Sequence, residues 1–124
     1  MTATSLAESA LAEIASRFVH PHSGIVLDYV SPDGSIDLPS PDELADGKPN
    51  ALAWWTPGEN GAFFTGLHLL ALTRAATVHG DQAIVERARC AAGTLIRLAS
   101  VGRRPGFVAR MVVSTPNGCP CADR

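Results

Sequence analysis

A mostly α-helical domain built from helical hairpins is the fold class this sequence predicts, on three observations. Between Gly61 and Val101 the apolar residues fall into two helix-length runs. Only His79-Gly80-Asp81 separates these runs, a junction too tight for anything but an antiparallel helix pair. Upstream, Leu6, Leu11, Ile14, Ala15, Phe18 and Val19 recur at three- and four-residue spacing and add a first amphipathic helix.

In chain order, the first helix spans about Ser5 to Val19, with Ser5 and Glu8 at capping-box spacing. His20-Pro21-His22-Ser23-Gly24 ends it, because proline breaks the hydrogen-bond ladder and restricts the residue before it. Ile25 to Val30 is rich in β-branched and aromatic residues and predicts a short extended segment. Ser31-Pro32-Asp33-Gly34 reads as a β-turn, with Ile36 and Leu38 on a return strand. From Pro39 to Pro57 no period is sustained, and the segment is read as a long ordered loop.

The second helix is placed at Gly61 to His79, with Gly80 as its left-handed terminator. Its start carries Glu59 as a favourable negative charge and Asn60 as a side-chain cap. Phe63, Phe64, Leu67, Leu69, Leu70, Leu72 and Val78 leave it apolar almost all round, which predicts burial on several sides. The third helix begins at Gln82 behind the cap Asp81 and runs to about Val101. Its apolar stripe, from Ile84 through Ile96 to Leu98, makes it the outer partner of the pair. Gly66 and Gly93, inside the helices, are expected to permit close helix packing, and Cys90 is expected to be a small core residue. Residues 105 to 113 turn and then become β-prone, a second short β segment. Residues 1–113 thus form one domain and 114–124 an irregular tail.

At 124 residues and 46% hydrophobic composition, the chain has one packed core and no room for a second domain. A net charge of −2, with no basic run beyond Arg103-Arg104, argues against nucleic acid and anionic membranes as partners. Ala62 to Leu72 falls short of the ~20 apolar residues of a spanning helix, and no basic-then-apolar leader opens the chain, so a cytoplasmic location is expected. Cys90, Cys119 and Cys121 do not make a disulfide framework. His20 with His22, and Cys119 with Cys121, each offer two metal ligands, but no spacing links the pairs, and neither a metal nor a cofactor is expected.

The candidate site gathers at the start of the second helix. Glu59 suits a general acid or an acceptor for sugar hydroxyls, and equally a helix N-terminal charge. Asp28, Asp33 and Asp37 are possible second carboxylates, although all three fall in turn-like, solvated sequence. Trp54 and Trp55 suit stacking on sugar rings or anchoring of the long loop. Arg110 suits a fork to a uronate carboxylate or a bond to backbone carbonyls. His68 reads as a hydrogen-bonded core histidine beside a site role. Gly61 and Gly66 imitate phosphate-loop spacing, but Leu67 and His68 stand where Lys and Ser/Thr would be needed.

Pro57-Gly-Glu-Asn-Gly-Ala-Phe-Phe-Thr-Gly-Leu67, the Gly80-Asp81 turn, Leu95-Ile-Arg-Leu-Ala-Ser-Val-Gly102 and Pro105-Gly-Phe-Val-Ala-Arg110 together resemble the six-hairpin glycosidase-like family. The resemblance covers roughly half the chain and implies part of an (α/α)6 toroid whose loops and helix starts line a carbohydrate cleft. It implies an oligo- or polysaccharide ligand, with Glu59, Asn60 and Arg110 near the cleft. The tail after Val113 departs from the family, so the expectation is a truncated toroid protein that supplies part of a glycan cleft without a complete catalytic set. From a different class, the alternative is a small helical interaction module that self-associates or binds a protein partner through an exposed helix 61–79.

Overall fold

A computed structural model describes residues 2–36, 38, 56–102 and 105–112. Among these residues the protein is mostly helical. Helix α1 spans Ala3–Glu13 and runs directly into a π-helical turn at Ile14–Phe18. Helix α2 spans Gly61–His79 and helix α3 spans Gln82–Ser100.

The hairpin matches the sequence prediction nearly to the residue. Gly80 takes a left-handed conformation at φ 64°, and its N–H donates to Ala76 O at 2.9 Å. Asp81 then caps α3 by accepting Ala83 N–H at 2.8 Å.

Helix α1 starts earlier than predicted. Thr2 is its cap, with Oγ1 accepting Ser5 N–H at 3.2 Å, so Ser5 lies inside the first turn and does not lead a capping box with Glu8. At the other end the helix widens, and Val19 N–H reaches Ile14 O at 3.1 Å, five residues back. No residue of α1 is buried.

The extended segment after α1 forms a single antiparallel bridge between Val19 and Val26, flanked by His20 N–H to Ile25 O and Leu27 N–H to Phe18 O at 2.8 Å each. No strand ladder forms among the described residues, because this segment spends its other donors on helices and loops. Val26 N–H goes to Thr65 Oγ1 at 2.9 Å and Asp28 N–H to Pro57 O at 2.7 Å. The β-prone stretch 105–112 likewise spends Ala109 N–H on Leu98 O of α3. The Ser31–Gly34 turn is present, closed by Gly34 N–H to Ser31 O at 2.8 Å. Most of the 39–57 loop, Cys119, Cys121 and the tail 114–124 lie outside the described residues.

The core forms where three segments meet at the open end of the hairpin. Ile25 and Leu27 come from the extended segment, Leu98 from α3 and Met111 from the C-terminal stretch. Leu72 and Ala91 are buried farther along the hairpin. Burying these side chains is worth about 1.5–3 kcal/mol for each large aliphatic one.

Helix α2 departs from its predicted burial. Gly61, Thr65, His68 and Leu72 make up its buried stripe, while Phe63, Leu67, Leu70 and Val78 are 48–77% exposed on a different face. Within these residues it is covered on one side, not several. By length and composition it could cross a membrane, with a mean hydropathy of 1.2, a test that a core helix passes equally well. Gly66 and Gly93 face open space, with nothing within 4 Å of an added Cβ, so neither mediates close packing. Cys90 and Ile96 are exposed on α3 instead of facing the core.

Candidate functional site at the start of helix α2

The first free N–H groups of a helix need partners, and at α2 two of the three partners come from distant segments. Asn60 N–H donates to the Asp28 carboxylate, at 3.0 Å to Oδ1 and 3.2 Å to Oδ2. Gly61 N–H donates to Gly58 O at 3.0 Å, and Ala62 N–H to Arg110 O at 2.8 Å. The carboxylate of Asp28 therefore caps the N–H of Asn60 itself, and the Arg110 carbonyl takes the Ala62 N–H that the Asn60 side chain was expected to accept; that side chain makes no cap bond. Instead, Asn60 Nδ2 donates to Asp28 Oδ2 at 2.7 Å.

Close approach of the C-terminal stretch to two glycines makes this junction possible. A Cβ on Gly61 would stand 2.9 Å from Arg110 O, and one on Gly58 would stand 2.6 Å from Met111 Sδ. Thr65, fully buried one turn into the helix, donates to Gly61 O at 2.6 Å and accepts from Val26 N–H. One hydroxyl thus fixes the register between α2 and the segment bearing Asp28.

The junction brings Asp28, Glu59, Asn60 and Arg110 together. Glu59 and Arg110 form an open ion pair at 3.8 Å, with side chains 37% and 60% exposed. A pair this exposed contributes about 0–1 kcal/mol and yields readily to a competing ligand. Carboxylate acceptors, an amide and a guanidinium on one exposed rim can bind hydroxyls or a carboxylate. Glycoside cleavage needs two carboxylates free on either side of a bond, and that of Asp28 is held by Asn60.

Trp54, Trp55 and Asp37 lie outside the described residues. Asp33 is spent in its turn, accepting Ser35 N–H at 2.9 Å, and this bond, with one from the Ser35 hydroxyl, holds its carboxyl below the usual range. His20 and His22 stack edge to face at 5.7 Å, while His20 Nδ1 pairs with Ser23 Oγ at 2.9 Å. Among the described residues no group of three or more His, Cys, Asp or Glu could hold a metal ion.

His68 differs from its reading as a hydrogen-bonded core histidine. The residue is buried at 7% exposure, yet Nδ1 has no hydrogen-bond partner among the described residues. Burial, and then the charge of Arg87, push its pKa below the ordinary value. Sequence reasoning also missed the capping role of Asp28, since 32 residues separate it from Asn60 and no local pattern links them.

No protein-family model, curated protein or solved structure matches this chain.

Proposed function

We propose that this chain works as one segment of an (α/α) toroid of the six-hairpin glycosidase-like kind, contributing a binding wall of a glycan cleft without a complete catalytic set. The observation that supports the reading is the rim at the start of α2. There Glu59 and Arg110 stand exposed and only loosely paired beside Asp28 and Asn60. Hydroxyl-rich ligands suit such a rim, because each carboxylate oxygen and guanidinium N–H can exchange water for a sugar hydroxyl. The test is calorimetric titration of the full chain with neutral and uronate oligosaccharides. Binding that falls about tenfold in both Glu59→Gln and Arg110→Ala supports the reading, on the scale of one charged hydrogen bond each. Absence of binding by either sugar class at millimolar concentration sinks it.

A second reading is favoured by the exposed apolar face of α2, formed by Phe63, Leu67, Leu70 and Val78. Here the chain is a small helical module and the face pairs with a second copy of itself. Sedimentation equilibrium separates the readings, since only this one requires a mass that rises with concentration in the absence of glycan.

A further inference from the structure

On the side of the hairpin that faces α1, a gap separates α1 and its π-helical turn from α2 and α3. The gap is a cleft of about 460 Å³, walled by Ala12, Ala15, Val19 and Ala91 and reached by His68 and Arg87. The walls are mainly small and apolar, so a hydrocarbon body fits them.

Two polar groups in the cleft have no partner among the described residues. His68 makes no hydrogen bond with any described residue, and its Nδ1 is sealed from solvent. A buried bare nitrogen costs less than a buried orphan N–H, so the ring proton is assigned to Nε2 on this ground. Arg87 has no ion-pair partner among the described residues, although it stands close enough for its charge to act on His68. Glu86 also lines the cleft, and its Oε1 is committed to Arg89 at 2.6 Å and Gln82 at 2.9 Å, which leaves Arg87 as the cation free to meet an anion. One neutral donor and one unpaired cation beside apolar walls call for a ligand with an anionic acceptor at one end and a hydrocarbon body.

We propose that this cleft binds a small aliphatic monocarboxylate, with its acid group on His68 Nε2–H and the Arg87 guanidinium and its chain along Ala15, Val19 and Ala91. Arg–carboxylate pairing supplies orientation as well as affinity, while the apolar walls select the tail. The site is separate from the rim at Glu59 and Arg110 and does not depend on glycan binding.

The test is titration of the full chain with hexanoate and with hexan-1-ol, following the four histidine rings by long-range ¹H–¹⁵N spectra. Hexanoate should give a saturable shift at His68 that His20, His22 and His79 do not share. Arg87→Gln, a change at an exposed position, should weaken hexanoate about tenfold and leave hexan-1-ol unchanged. The proposal is overturned if His68 does not respond, if Arg87→Gln binds hexanoate as tightly as the parent, or if hexan-1-ol binds the parent as tightly as hexanoate.

Discussion

Asp28 holds Asn60 from both sides: its two carboxylate oxygens take the Asn60 backbone N–H, and Oδ2 also takes the side-chain amide at 2.7 Å. A helix start is thus capped by a carboxylate 32 residues earlier in the chain. Replacing Asp28 with Ala should lower stability by about 1 kcal/mol, the usual worth of a cap, and Asp28→Asn should lose less. Urea unfolding measures both. Equal losses for the two variants would show that an acceptor oxygen alone does not account for the effect.

Gly66 and Gly93 are helical glycines with open space where a Cβ would go. Gly66→Ala and Gly93→Ala should each raise stability by up to about 1 kcal/mol, because alanine loses less backbone entropy in a helix. Thermal melting would register each gain as roughly 3–5 °C. Gly61→Ala should go the other way, since its Cβ would meet Arg110 O at 2.9 Å.

Mild acid should weaken the fold through two histidines. Burial, then the Arg87 charge, lowers the pKa of His68, and burial, then the His22 charge, lowers that of His20. The unfolded chain therefore binds protons that the folded chain refuses. Stability is fully present above the ordinary value of 6.5, falls as pH drops from there towards the lowered folded values, and then levels off. Urea midpoints between pH 7.5 and 5 should follow this course, with a shallower slope in His68→Gln. A slope unchanged by that substitution would remove His68 from the account.

Leu70, 48% exposed on the apolar face of α2, gives the cleanest probe of self-association. Leu70→Lys should hold the mass at the 13.0 kDa of one chain across concentrations at which the parent grows heavier, while stability changes by less than about 0.5 kcal/mol. A parent that stays monomeric throughout disposes of the second functional reading.

What the sequence made legible was local. Gly80 and Asp81 announce the hairpin turn because a left-handed glycine and an N-cap act on their immediate neighbours. The Asp28–Asn60 contact has no local signature, and the extended segment 25–30 looked like a strand because residue type does not reveal where its N–H groups go. The inner face of α2 was illegible for a different reason. With large apolar residues on nearly every side, the pattern has no preferred direction, and the buried stripe went to Thr65 and His68 instead of Phe63 and Leu67. Of the candidate site, Glu59, Asn60 and Arg110 do come together, because Gly61 admits the Arg110 backbone and Gly58 the Met111 side chain against the helix start.

The backbone bonds from Ala62 N–H to Arg110 O and from Ala109 N–H to Leu98 O tie one short segment to the start of α2 and to the end of α3. The hairpin is thereby clasped at its open end as well as joined at Gly80, and the chain from Gly58 to Met111 is a closed circuit. A single cut at Gly80 would leave two pieces still fastened through residues 105–112, so the turn that looks like the hinge of the pair is the place where the chain can best be opened.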